Sequence, residues 1–242
     1  MAEIENELNG SSDSPTPPRL SITVPKTKDI DPQSEQWRNV KLPTDVLLLT
    51  VKDEEFLSCY AYLSNITKSY HKSLGWVYFG EMGPDRRREN VKVSLIRCSQ
   101  GSAEVGGAQN TVRNAVLLLR PKAVIGVGFC GGLNRKETKL GDVVISVMLS
   151  TYSHKKVSSS GRHEPRGVTT NVSKNMGNLI KYAADGWKAP LENPEALKMD
   201  VHRDKEMLSG GELVDCDIRR EELLQTYPNA IAIEMEGEGT VK

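Results

Sequence analysis

Residues 229–239 read NAIAIEMEGEG, an apolar run from Ala230 to Ile233 that passes directly into Glu234, Met235 and Glu236. The run is short and rich in apolar residues, which predicts a buried strand. Carboxylates placed where a buried strand ends lose water and must find hydrogen-bond donors. Two adjacent sugar hydroxyls would supply such donors to one carboxylate; an acidic helix start would use backbone N–H groups instead. A second acidic stretch, Glu54 and Glu55, follows the run DVLLLTV at Asp45 to Val51. It reads either as a complement to a helix dipole or as a carboxylate at the end of a central strand. The third candidate is Pro121 to Ser146, PKAVIGVGFCGGLNRKETKLGDVVIS, where Gly126, Gly128, Gly131 and Gly132 lie between β-type runs at Ala123–Val127 and Asp142–Met148. Glycines without Cβ atoms let backbone approach a ligand closely, and a glycine loop after a buried strand suits the carboxyl edge of an α/β sheet. A tight turn between two core strands is the other reading.

These residues need a scaffold, and the chain supplies a regular one. Asp45–Val51 predicts a first buried strand, and Phe56, Tyr60 and Leu63 then recur at helical spacing. Trp76–Phe79 and Val91–Cys98 predict two more strands. A helix is expected over Ala103–Leu119, with Ala108, Val112, Ala115, Val116 and Leu119 on one face and Pro121 as its stop. Strand, helix and strand in this order form a parallel crossover that leads into the glycine stretch. Residues 151–170 are polar and glycine-bearing and read as a mobile loop near the site or an insertion. Helical segments are expected at Ser173–Ala183, Pro194–Lys198 and Ile218–Thr226, and a glycine turn with a short strand at Leu208–Val214 (LSGGELV). Residues 1–37 are rich in Ser, Pro and acidic residues and predict a disordered tail, which leaves 38–242 as one domain of the α/β class.

Composition narrows the partners. Lys plus Arg and Asp plus Glu number 32 each, so no global positive field favours nucleic acid. Arg86, Arg87 and Arg88 are the one dense basic spot, and Asp85 and Glu89 offset it. Cys59, Cys98, Cys130 and Cys216 lack CxxC spacing and read as free thiols of a reducing compartment. His71, His154, His163 and His202 have no ligand-like spacing, so no metal is expected. No apolar run approaches the length of a membrane span, and the cytoplasm is the expected location.

VGFCGGLN with LGDVVIS, then SGGELV, then NAIAIEMEGEG, in this order, resemble the nucleoside phosphorylase and nucleosidase superfamily. That group contains purine nucleoside and uridine phosphorylases and methylthioadenosine/S-adenosylhomocysteine nucleosidase. The resemblance covers about Asp45 to Gly239. It implies a three-layer α/β sandwich around a twisted mixed sheet, with the family's final strand and helix lacking before residue 242. By the resemblance, Glu236 accepts hydrogen bonds from the ribose 2′ and 3′ hydroxyls, Met235 packs under the sugar and Glu234 is the acidic residue before them. Leu213 and Val214 fall against the base, Phe129 and Gly128 beside the site, and Glu55 where nucleosidases hold the glutamate that activates water. A small-molecule nucleoside and a homo-oligomer are implied, without nucleic acid, membrane or cofactor, phosphate being a co-substrate only for a phosphorylase.

N-ribosyl cleavage passes through a sugar with oxocarbenium character, which nearby carboxylates stabilise. Phosphorolytic purine members carry an arginine and a serine where this chain has Gly126 and Phe129, and the loop TVKDEE lacks their phosphate-binding arginine, with Lys52 or Arg97 as substitutes. Hydrolysis is therefore the expected chemistry. The family's general-acid aspartate lies beyond the EME motif, and Asp204, Asp215 and Asp217 do not match it. A phosphate-dependent phosphorylase and a non-catalytic nucleoside-binding module are the alternatives.

Overall fold

The computed structural model describes residues 17–83, 90–159, 161 and 163–240. Its first half is built on the apolar run after Asp45. Strands β1 (Gln33–Ser34) and β2 (Val46–Thr50) are followed by helix α1 (Asp53–Tyr60), the hairpin β3 (Ser64–His71) and β4 (Gly75–Met82), β5 (Val91–Arg97), helix α2 (Ala108–Leu119) and β6 (Ala123–Gly126). They form a six-stranded mixed sheet in the order β1-β3-β4-β5-β2-β6, with β2 parallel to both β5 and β6. A strand buried on both faces needs an unbroken apolar run, and VLLLT supplies it. Leu47 and Leu49 pack with Ile96, Ala115 and Leu119, under α2. Leu48 packs with Phe56, Cys59, Val93 and Leu95, under α1. The two helices thus cover opposite faces, which makes three layers.

The second half adds β7 (Gly131–Gly132), β8 (Val143–Val144), β9 (Met148–Thr151), β10 (Lys155–Val157), β11 (His163–Pro165), β12 (Thr169–Asn171), α3 (Lys174–Ile180), β13 (Val201–His202), β14 (Glu206–Ser209), α4 (Asp217–Thr226) and β15 (Ala230–Glu234). A five-stranded sheet runs β12-β9-β14-β15-β7, with β14 parallel to β9 and β15. Leu223 of α4 closes its core with Leu133, Tyr152, Leu208 and Ala230. The described strands therefore divide between these two mixed sheets and two two-stranded pairs, β10-β11 and β8-β13.

Several local expectations change. Strand β3, SNITKSYH, escapes an apolar-run reading because Ser69 is the one buried residue of its eight, while Tyr70 is exposed. The run Asp142–Met148 splits into β8 and β9, which join different sheets. The polar loop 151–170 contains the antiparallel pair β10 and β11 and also β12, held by backbone bonds that polar side chains permit. Leu213 and Val214 lie outside any strand. Helix α2 begins at Ala108 because Gly101 and Gly106 take positive φ of 90° and 77° in the loop before it. Strand β6 is the outer strand of its sheet, so Val124 packs under α2 while Ile125 and Val127 stay open to solvent, where burial was expected.

The first 16 residues of the expected tail, and Arg86–Arg88, lie outside the described residues. From residue 17 onward the chain is seated on the domain. Leu20 bridges Leu191, Gln33 and Ser34 pair with Thr67 and Lys68, and Trp37 packs beside Phe79. Among the described residues no helix is long and apolar enough to cross a membrane.

Candidate active site

Register brings Thr50 of β2 beside Arg97 of β5, and Leu49 beside Gly126 of β6, so three parallel strands end together. Ligand sites form outside such carboxyl ends. Glu55 stands there, in the first turn of α1, and is buried. Its Oε2 accepts the N–H groups of Val51 and Lys52, each at 2.8 Å, and its Oε1 accepts the N–H of Phe129 at 3.0 Å. The Lys52 donor is free because the first N–H groups of a helix lack intrahelical partners, and Val51 immediately precedes that cap. The third comes from the glycine loop. Gly128 explains the approach: a Cβ on it would sit 3.1 Å from Glu55 Oε1. A carboxylate offers about four lone-pair positions, so three N–H donors leave roughly one open.

The end of β15 meets the same place. Glu234 turns its Oε2 back onto the N–H groups of Glu236 and Gly237, at 2.8 and 2.7 Å. Among the described residues its buried Oε1 has no hydrogen-bond partner. The turn continues as a 3-10 segment, Gly237–Thr240, in which Glu238 N–H donates to Ser209 Oγ at 2.7 Å. Gly239 lets this segment lie against the start of α2, since a Cβ there would be 2.6 Å from the Gln109 nitrogen. Glu236, half-buried, is thereby fixed near Glu55. Burial, then the charges of Glu234 and Glu55, push its carboxyl above the usual value, against the pull of the Met235 N–H and Lys52. Cys98 lies beside it: burial above all, with Glu236 adding, pushes that thiol up to about 11 despite a hydrogen bond to Thr111.

Glu55, Gly128, the Phe129 amide, Glu234 and Glu236 are therefore one cluster, with Met235 half-buried within it. The Phe129 ring faces solvent. Leu213 is 87% exposed, while Val214 packs on the second-sheet core. Their segment is nonetheless anchored. Tyr152 OH donates to the Glu212 carbonyl at 3.1 Å, and Arg219 forks onto the Glu212 carboxylate at 2.9 and 3.2 Å. Burial favours the neutral Glu212, but the Arg219 fork and Lys155 outweigh it and hold the carboxyl below its ordinary value.

The cations that could hold phosphate are engaged. Lys52 Nζ donates to Gln100 Oε1 at 3.2 Å, and Arg97 pairs with Asp53. Asp217 pairs with Arg135 and Arg220 at the start of α4, and Asp204 and Asp215 are exposed. His71 stacks on Trp37, and His202 Nε2 lies 3.0 Å from Asp142 Oδ2. His154 Nδ1 stands 3.8 Å from Glu238 Oε1, and the His163 side chain lies outside what is described. No group of three or more His, Cys, Asp or Glu among the described residues could hold a metal ion. Ser209, Cys98 and Glu238 joined the site unannounced; only Ser209 and Glu238 carried a signal, as members of the SGG and EMEGEG stretches.

Three neighbouring carboxylates, Glu55, Glu234 and Glu236, suit a substrate that brings vicinal hydroxyls and develops positive charge. Residues 54–239 match the model of a family described as the phosphorylase superfamily. A death domain-containing ATP nucleosidase of Amphimedon queenslandica is 27% identical over 67% of this chain. The match spans 32% of that curated relative, about a third of its length. A 5′-methylthioadenosine/S-adenosylhomocysteine nucleosidase from Neisseria meningitidis, solved with methylthio-immucillin-A, superposes with a TM-score of 0.62 at 19% identity, over 82% of this chain and 78% of its own. Futalosine hydrolase from Helicobacter pylori strain 26695 gives 0.60 at 17% identity, over 81% and 76%. At these identities the likeness is one of fold.

Proposed function

The chain belongs to the phosphorylase superfamily, and from that premise we propose that it hydrolyses the N-glycosidic bond of a purine nucleoside or of its 5′-phosphorylated form. The observation that carries this reading is Glu55, held by three backbone N–H donors within the same cluster as Glu236. Glu55 uses its open lone pair to take a proton from water as the water attacks C1′. Glu236 accepts the 2′ and 3′ hydroxyls, Met235 packs under the ring, and the clustered negative charge stabilises the oxocarbenium-like sugar. Leu213, Val214 and Phe129 flank the base.

Hydrolysis is favoured over phosphorolysis because Lys52 and Arg97 are already engaged by Gln100 and Asp53. A 5′-phosphorylated substrate enters the reading through the ATP nucleosidase relative. The test is chromatographic detection of free base released from adenosine, inosine, methylthioadenosine, S-adenosylhomocysteine and ATP, each with and without phosphate. Release without phosphate is expected. Release only with phosphate would make the protein a phosphorylase, and calorimetric binding without release would make it a nucleoside-binding module.

A further inference from the structure

A base that leaves as an anion leaves slowly, so N-glycosidic cleavage gains from a proton delivered to the base as the bond lengthens. Both oxygens of Glu55 and the Oε2 of Glu234 accept backbone N–H groups, which favours their charged, proton-accepting form, and Glu236 faces the sugar in the reading above. An imidazole stands at the same edge. His154 follows Ser153, whose Oγ accepts the Gly211 N–H at 3.3 Å, at the head of the segment that leads to Leu213 and Val214. The His154 carbonyl accepts the Arg166 N–H at 2.8 Å, so its backbone is fixed on both sides. Its Nδ1 lies 3.8 Å from Glu238 Oε1, two residues beyond Glu236, and Glu238 is itself tied to Ser209 Oγ.

A solvated loop histidine would have no reason to face a carboxylate that is only 13% exposed. The neighbouring charges have other partners: Lys155 faces Glu212 at 3.5 Å, and Arg166 faces Glu164 at 3.6 Å. The His154 side chain is 59% exposed, which leaves the rest of the ring open to a ligand. We infer that His154 is the proton donor to the leaving purine, oriented by Glu238. The inference rests on the hydrolase reading. As the C1′–N bond breaks, its electron pair stays with the base, and a basic ring nitrogen takes the imidazolium proton. The water oxygen bonds to C1′ and gives its proton to Glu55. Transfer of that proton through solvent to the imidazole restores both groups.

The experiment compares wild type, His154→Gln and Glu238→Gln on adenosine, guanosine, ATP and GTP, each beside its 7-methyl cation. A methylated purine already carries the positive charge that a proton would supply. His154→Gln is expected to lose about 10²–10⁴-fold in rate on the neutral bases and less than about tenfold on the cations, with Glu238→Gln showing the same asymmetry at about tenfold. Equal loss on both kinds of substrate, or no loss on either, overturns the assignment. Absence of base release by wild type from every substrate overturns the hydrolase reading itself, and the assignment with it.

Discussion

Two carboxylates face the same site from opposite halves of the chain, and their surroundings differ. Glu55, after β2, is met by three backbone N–H groups, two from its own helix start and one from the glycine loop. Glu236, after β15, has the Met235 N–H and, against it, burial and the charges of Glu234 and Glu55. The first is a charge already stabilised and fixed in direction. The second is a charge short of donors, which a ligand's hydroxyls would supply. Paired carboxyl groups in unlike environments take different roles, and on the proposed hydrolase reading this pair divides into a positioned base and a ligand-binding acceptor.

The comparison breaks first at Glu55. Glu55→Gln keeps the volume but turns one acceptor into a donor, and base release is expected to fall about 10²–10⁴-fold while nucleoside affinity changes little. Single-turnover kinetics with calorimetry separates the two, and unchanged turnover would remove Glu55 as the base. Glu236→Ala should do the reverse. Two hydrogen bonds to a charged group, at about 1.5–3 kcal/mol each, correspond to a loss of at least about a hundredfold in ribonucleoside affinity. A 2′,3′-dideoxy analogue should bind wild type and variant alike; an equal loss for that analogue would show a packing defect instead.

A smaller effect tests the loop between them. Gly128→Ala places a Cβ 3.1 Å from Glu55 Oε1, whereas a Cβ at Gly126 meets nothing within 4 Å. A displacement of a few tenths of an ångström should cost Gly128→Ala about tenfold in rate, with Gly126→Ala close to wild type. Equal behaviour of the two variants would mean that the glycine loop does not set the position of Glu55.

Much of this arrangement was legible along the chain where burial is continuous. VLLL and AIAI are apolar without interruption because each sits in the interior of a sheet, and the acidic residues that follow mark where those strands end. Strand β3 was not legible, because SNITKSYH lies in a hairpin with much of its surface open. The role of Glu55 was ambiguous for a physical reason. Two of its three donors make it an ordinary helix cap, and the third, from Phe129, is 74 residues away. The His154–Glu238 approach has the same origin: it depends on how the β9–β10 connection lies over the end of β14, which local sequence does not specify.

The finest test of the comparison is its pH dependence. Glu236 has a folded-state pKa above its ordinary value, first because of burial and then because of Glu234 and Glu55. Between the unfolded and folded pKa values the native state binds more protons, so this group's contribution to stability falls as pH rises through that window. Glu236→Gln removes the crowded charge while keeping the shape. Its melting temperature should therefore exceed that of wild type near neutral pH, and the gap should close as pH falls below about 4.5, where Glu236 is protonated in both states. Calorimetric melts of both proteins across this range decide the point. A gap that is absent at neutral pH, or that widens in acid, would mean that Glu236 is not short of donors, and the contrast with Glu55 would lose its electrostatic basis.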